Sequence, residues 1–385
     1  MGCINLFERR KQYDGKMTEK GPERQETKNR EEKKPGLRVE RFQAEEVRRL
    51  LWSHGLIDTD LKPLRDGDHV IYPIKAPDSV KEIRGLEGST GTWFFERKRS
   101  QPAPYEKIKA LGEQMGLDAA LLPDKWEKIG DVVCLRLPPD TPPIVAEKIG
   151  EIYCDVLGAR AAVAYDIITG VYREPHAKII WSCGGSGGVG VDEELITVHV
   201  ENGIRYKLDV LHIMFSSGNI DERQRMAKID MGGEVVVDMF AGIGYFTLPI
   251  ARYTGARKVV AYEINPRAYR FLAENTRLNR VEDVVETHNL DNRQAKEGVA
   301  DRVVMGYLKD THLFLPKAMK ILRPEGGVVH YHENCPEEII PERPYRRIER
   351  AAGESGFRVV KKDIRWVKSY SPGVWHVVVD AEVRP

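Results

Sequence analysis

One stretch constrains the fold more than any other: Val235-Val-Val-Asp-Met-Phe-Ala-Gly-Ile-Gly-Tyr-Phe-Thr-Leu-Pro-Ile250. An apolar run ends in Asp238, a turn holds Gly242 and Gly244, and a helical pattern follows. Unbroken apolar residues mark a strand buried on both faces, and such strands belong to parallel sheets covered by helices. Gly242 and Gly244 let the backbone come close to a ligand, and the start of the next helix adds unpaired N–H groups. The spacing predicts the first unit of a Rossmann-like α/β domain. It does not choose the ligand, because many α/β proteins carry such turns.

The following segments narrow the choice. Lys258 to Ile264 reads as a second strand ending in Glu263, about twenty residues past the glycines, where a carboxylate can accept both ribose hydroxyls of a nucleoside. Val284 to His288 reads as a third strand and runs into Leu290, Asp291 and Asn292; an Asp or Asn there can read an adenine edge. Asp301 to Met305 reads as a fourth. Position 247 is Thr247 rather than a third phosphate-loop glycine, and there is no Walker lysine. The pattern asks for adenosine without pyrophosphate, which favours S-adenosylmethionine over NAD or ATP.

The chain has 385 residues, enough for two or three domains with full cores. Its 60 Lys plus Arg balance 59 Asp plus Glu, so net charge names no partner and a nucleic acid would need local basic patches. Five scattered cysteines without a CxxC pair argue against a disulfide framework or zinc ribbon and fit a reducing cytoplasm. No apolar run approaches a membrane span, nothing resembles a signal peptide, and Leu6 stands where myristoylation wants Ser or Thr. We expect no membrane association, no metal and a monomer.

Residues 1–36 are charged and almost without apolar side chains after Phe7, which predicts a disordered tail. Residues 37–104 read as a small α+β module: a helix over Ala44 to Trp52 stopped by Gly55, then strands at His69 to Ile74 and Thr92 to Glu96. Residues 105–209 read as an α+β middle domain. Within it, Pro123 to Leu137 is predicted as a turn and a strand, Pro143 to Leu157 as a helix, and Ser182 to Gly190 as a flexible hairpin tip. Asn202-Gly203 marks a hairpin between Glu194 to Val200 and Ile204 to Leu208. Residues 210–385 form the Rossmann-like domain, with late strands at Gly327 to His332, Phe357 to Lys361 and Val374 to Val383.

The methionine part of the ligand needs polar groups for its amine and carboxylate. Met214 to Met226 supplies them: Ser216 and Arg223, seven apart, can converge on a carboxylate, with Arg225 and Lys228 nearby. The plainer alternative is a solvated helix whose arginines pair with Asp221 and Glu222. Enzymes that methylate nitrogen often carry Asn-Pro-Pro or a related triplet after the fourth strand, but here Gly306-Tyr307-Leu308 fills the slot. Tyr307 is then either a stacking platform for a base or a core residue. His330 and His332 lie on one strand face beside Glu333, a pattern that suits packing or substrate contact better than a metal. Lys368, Tyr370 and the turn Pro372 to His376 can meet RNA or simply hold structure.

With these residues in view, the chain from about 120 to 385 resembles the archaeal and eukaryotic wyosine-pathway tRNA 4-demethylwyosine aminocarboxypropyltransferases, paralogues of the tRNA guanine-37 N1-methyltransferases. The stretches that carry the resemblance are Val198 to Lys207, Met214 to Met226, Val236 to Gly244, Asp291 to Arg293, Asp301 to Leu308 with Thr311 and His312, and Pro372 to Val377. Residues 37–100 are similar to the small N-terminal module of the methyltransferases, and 182–192 looks like an insertion. The resemblance implies a class I S-adenosylmethionine-dependent methyltransferase fold. It implies transfer of the 3-amino-3-carboxypropyl group to C7 of 4-demethylwyosine at position 37 of tRNA-Phe, with methylthioadenosine leaving. By carry-over, Ser216 and Arg223 engage the methionine part, Glu263 the ribose, and Asp291 with Asn292 the adenine. Tyr307 and His332 are candidates on the substrate side, and the base for the C7 proton is unassigned, with His332 and Asp310 as guesses. The methyltransferases carry Asn-Leu-Pro where this chain has Gly306-Tyr307-Leu308, which separates the paralogues. Two alternatives stand: an N1-guanine methyltransferase, or a non-catalytic tRNA-binding protein with a vestigial pocket.

Overall fold

The computed structural model describes residues 31–41, 43–80, 83, 88–97, 102–170, 174–183 and 194–385. They form two compact units, divided between residues 106 and 107.

In the first unit, β1 (Glu31–Glu40), α1 (Ala44–Ser53), β2 (Leu64–Asp66), β3 (His69–Pro73), α2 (Pro77–Val80) and β4 (Ser89–Glu96) give an antiparallel sheet of order β2-β3-β1-β4. Leu37, Val39, Val47, Leu51, Tyr72 and Ile74 make its core, and Gly55 in the left-handed region ends the chain's turn after α1. The expected tail is shorter than its composition implies. Glu31 to Lys34 already pair with Trp93 to Glu96 through the backbone ladder. Ladder hydrogen bonds need no apolar side chain, so the charged sequence hides this half of the strand. Residues 1–30 lie outside the described residues, as do residues 184–193, which hold most of the glycine-rich segment.

The second unit opens with α3 (Pro104–Gln114) and a four-stranded sheet of β5 (Trp126–Ile129), β6 (Val132–Leu135), β7 (Ala161–Thr169) and β8 (Glu174–Ser182) in that order. Pro123 to Leu137 thus holds two strands rather than one, folded at Gly130, whose φ of +58° makes the reversal. Helix α4 (Pro143–Leu157) makes the crossover between the parallel β6 and β7. The hairpin of β9 (Ile196–Glu201) and β10 (Ile204–Asp209) turns on Asn202 and Gly203, both at positive φ, as Asn-Gly requires.

A short helix, α5 (Ile220–Met226), leads into the main sheet: β11 (Val235–Asp238), β12 (Lys258–Tyr262), β13 (Val285–His288), β14 (Arg302–Met305), β15 (Gly327–Pro336), β16 (Arg358–Ser371) and β17 (Val374–Arg384). Their order is β13-β12-β11-β14-β15-β17-β16; the first five pair in parallel, and β17 alone runs antiparallel, between β15 and β16. Helices α6 (Thr247–Tyr253), α7 (Pro266–Leu278), α8 (Leu315–Ile321) and α9 (Glu342–Glu354) make the connections. Strand order reverses between β11 and β14, and ligands of such sheets sit outside the carboxyl ends there.

No core boundary falls at 209/210. Tyr206 and Leu208 of the hairpin share one apolar cluster with Val132 and Val163 on one side and Val236, Phe271 and Leu272 on the other. Asn275 of α7 fixes the hairpin by accepting from Lys207 N and donating to Lys207 O. No helix among the described residues is long and apolar enough to cross a membrane.

A candidate nucleoside and amino-acid site

A cavity of about 400 Å³ opens at the reversal point, within the size range of small-molecule sites. Ser216, Arg223, Gly242, Glu263, Asp291, Asn292 and Tyr307 all line it. Asp238, Gly244 and His332 do not.

Asp238 ends β11 fully buried, accepting from Phe240 N at 3.2 Å and Thr247 Oγ1 at 2.7 Å. Burial pushes its carboxyl up to about 6, with those hydrogen bonds opposing. It therefore pins the two ends of the glycine loop together and does not face the ligand. Gly244, at a φ of +105°, lies against Leu248, where a Cβ would stand 2.6 Å from the leucine Cγ. Its role is close helix packing. Gly242 does face the cavity, and its N–H donates to Glu263 Oε2 at 2.7 Å.

Glu263 is held at both oxygens, since Asn265 N donates to Oε1 at 2.7 Å. Each oxygen keeps a second lone pair for a hydroxyl. Burial raises its pKa, with the backbone donors working the other way. Asp291 is differently committed: Arg293 donates to it from its backbone N and from both Nε and Nη2, holding the carboxyl below its ordinary range. Asn292 is 6% exposed, donates from Nδ2 to Met239 O at 2.8 Å, and leaves Oδ1 buried without a partner among the described residues. A buried acceptor of this kind costs about 1–3 kcal/mol unless something fills it. Asn292 Oδ1 is thus an open acceptor on a cavity-lining residue, while Asp291 is committed to the turn.

At the other end, Arg223 is 2% exposed and clamped to Glu201 of β9, Nε to Oε1 and Nη2 to Oε2 both at 2.6 Å. Its Nη1 donates to Ser216 O at 2.9 Å, and the guanidinium sits 5.1 Å above Phe215. Neither Asp221 nor Glu222 is its partner. Arg225 instead takes Glu222 and, at 2.7 Å, Asp380 of β17, which receives His330 Nδ1–H at 2.5 Å. Burial would raise the Asp380 pKa, but His330 and Arg225 outweigh it and hold it low. These ties fix α5 to the sheet. Sequence reading gave neither Glu201 nor Asn219 a role, although both stand within segments it singled out; Asn219 lines the cavity. His212 also lines it, oriented by the fully buried Asp209 at 2.5 Å.

The wall after β14 is aromatic. Phe240 and Tyr307 stack with ring centres 5.0 Å apart and planes 13° apart, and Phe314 meets Phe240 edge-on. Gly306 has no space for a side chain, because a Cβ would stand 2.8 Å from the Phe246 ring. His332 is 1% exposed behind that ring, edge to face at 5.2 Å, with Nδ1 3.1 Å from His376 Nε2. Its strand face points into the packing between β15 and the loop after β11, so it does not line the cavity. Asp310 does line it. Glu333 is absorbed by Tyr331, Arg343 and Arg347, and no cluster among the described residues fits a metal ion. At the late turn, Trp375 packs edge-on against Trp366 and donates to Glu337.

Sheet order, the glycine loop, the doubly held Glu263 and the open acceptor of Asn292 together fit a class I S-adenosylmethionine-dependent transferase. Comparison with known proteins agrees. Residues 197–360 match the TRM5/TYW2 methyltransferase domain, 109–187 the TYW2 N-terminal domain and 36–82 the tRNA methyltransferase 5 N-terminal domain. A Pyrococcus horikoshii protein named tRNA(Phe) (4-demethylwyosine(37)-C(7)) aminocarboxypropyltransferase is 45% identical over 276 residues, 71% of this chain and 94% of that one. The solved P. horikoshii TYW2 in complex with MeSAdo is 41% identical, with a TM-score of 0.62 over 73% of this chain and 99% of that one. Pyrococcus abyssi Trm5b is 30% identical, with a TM-score of 0.61 over 91% of this chain and 100% of that one. The chain belongs to the TYW2 family of aminocarboxypropyltransferases, whose paralogues are the Trm5 methyltransferases.

Proposed function

We propose that this chain transfers the 3-amino-3-carboxypropyl group of S-adenosylmethionine to C7 of 4-demethylwyosine at position 37, in the anticodon loop of tRNA-Phe. The observation that carries the choice over N1 methylation of guanine is Gly306 under Phe246. A nitrogen clamp needs an amide or carboxylate side chain after β14, and here the phenyl ring occupies that volume.

The sulfonium activates each of its three carbons, so the protein selects among them by position. Glu263 holds the ribose, Asn292 Oδ1 accepts from the adenine amino group, and Gly242 gives close approach. The stack of Phe240 and Tyr307 offers a flat face for the tricyclic base. C7 forms a bond to the terminal carbon of the arm as that carbon leaves sulfur, which keeps the electron pair. The C7 proton departs last, and Asp310, on the cavity wall beside Tyr307, is the acceptor we assign. Alignment supplies most of the acceleration, because the nucleophile is an electron-rich carbon and the leaving thioether is neutral.

The test is a product assay with tRNA-Phe bearing either 4-demethylwyosine or guanosine at position 37. Mass spectrometry should find the aminocarboxypropyl increment on the first, with methylthioadenosine released. A methyl increment on guanosine with S-adenosylhomocysteine would overturn the reading in favour of the methyltransferase.

A further inference from the structure

The chain after β14 builds part of the cavity's rim. Thr311–Phe314 forms one tight helical turn; Asp310 just before it, and Leu313 and Phe314 within it, line the cavity. The turn is fastened along its length. Thr311 is 1% exposed and donates from Oγ1 to Tyr307 O, and Leu313 N donates to Asp310 O at 3.0 Å. Phe314 rests edge-on against Phe240. Asp310 enters the turn at a φ of +56°, a conformation costly for a residue with a Cβ. On this rigid support Leu313 is left 67% exposed. A lone exposed leucine is ordinary on a protein surface, but this one is fixed at the mouth of an aromatic cavity.

Outside the cavity the same turn meets cations. It packs against β15, where the buried Glu333 accepts from Arg343 Nε at 3.0 Å and from Arg347 Nη1 at 2.9 Å. Two guanidiniums on one carboxylate leave a positive charge in excess. His312, which does not line the cavity, lies in their field: burial and then Arg347 hold its imidazole below the ordinary range. The turn thus stands between an aromatic cavity and a cationic cluster.

An RNA strand whose base enters the cavity must cross such a rim, base on one side and phosphates on the other. A base in a stacked loop is out of reach until it is extruded, and an apolar side chain entering the vacated gap offsets part of that cost. We propose that Leu313 fills the gap left in the anticodon loop when nucleoside 37 swings into the cavity, while Arg343 and Arg347 hold adjoining phosphates. Leu313 is a positioning residue: it stabilises the opened loop and takes no part in the bond changes. The inference rests on the tRNA reading above.

The test compares single-turnover transfer by the full chain on three substrates. One is intact tRNA-Phe bearing 4-demethylwyosine; the others lack the base on the 5′ or on the 3′ side of position 37. Leu313→Ala should slow the intact substrate about tenfold or more, because extrusion loses its apolar support. On the tRNA lacking the base that Leu313 stacks against, extrusion is easier and the loss should shrink to about threefold or less. Leu313→Met should keep most of the rate. Arg347→Gln leaves Glu333 paired with Arg343, yet tRNA affinity should fall, and its log–log slope against salt should lessen by about 0.7. Titration with methylthioadenosine checks that each variant is folded. A Leu313→Ala loss of equal size on all three tRNAs, or no loss at all, would overturn the role of Leu313. An unchanged salt slope in Arg347→Gln would remove the phosphate contact. Failure of the unaltered chain to alkylate intact tRNA that it still binds would instead overturn the acceptor reading.

Discussion

The two ends of the cavity are built by different means. At the nucleoside end, Glu263 and Asn292 stand just past the ends of β12 and β13, each held by backbone groups of the loops at the carboxyl ends of the parallel strands. At the amino-acid end, Arg223 is set by Glu201 from a hairpin, α5 by Asp380 from β17, and Ser216 by Lys368 from β16. The first end is a product of βα spacing. The second is a product of pairings across as many as 155 positions, and it is there that the fold can specialise without disturbing nucleoside binding.

The largest test of that contrast is Glu201→Ala. It leaves the Arg223 charge buried and unpaired, so stability should fall by about 3–5 kcal/mol, read by urea unfolding. A loss near zero would mean that the hairpin does not hold the amino-acid end. Next in size, Glu263→Ala should weaken S-adenosylmethionine and methylthioadenosine alike, by about 1–3 kcal/mol. Calorimetry showing a loss for only one of them would merge the two ends. Gly306→Ala should displace Phe246 and cost about 1–2 kcal/mol in stability, with Phe246→Leu relieving part of it in a double-mutant cycle. Independent effects would remove the packing argument for acceptor choice.

The smallest effect concerns pH. Glu263 has a raised pKa, so it is ionised well above the ordinary glutamate range and takes up its proton as pH falls toward that range. Affinity for both ligands should decline together, less than about tenfold between pH 7 and 5, while their ratio stays flat. A drifting ratio would place a titrating group at the amino-acid end.

Much of the nucleoside end was legible in the sequence, because strand ends and glycine turns fix side chains by local periodicity. Glu263 and Gly242 fell where spacing put them. Asp238 and Gly244 belong to the same motif but act from behind it, a distinction that depends on which face of the loop each presents. His332 was misplaced for a related reason: alternation gives the face of β15, not what covers it, and Phe246 covers it. Ser216 and Arg223 were visible as polar groups at a useful interval, but the partner that neutralises Arg223 lies 22 residues upstream. Nothing in a one-dimensional pattern joins Lys368 to Ser216. The charged strand Glu31 to Lys34 was hidden because backbone pairing leaves no mark in composition.

The ties of Arg225 to Glu222 and Asp380, and of Asp380 to His330, have a bearing on inhibitor design. Because α5 is already fastened to the sheet, the protein has little ordering left to do when the arm arrives. Most of the entropy lost at this end belongs to the ligand's own rotatable bonds. An analogue whose three-carbon arm is cyclised in the bound shape should therefore gain affinity here that a compliant site would spend on tightening itself.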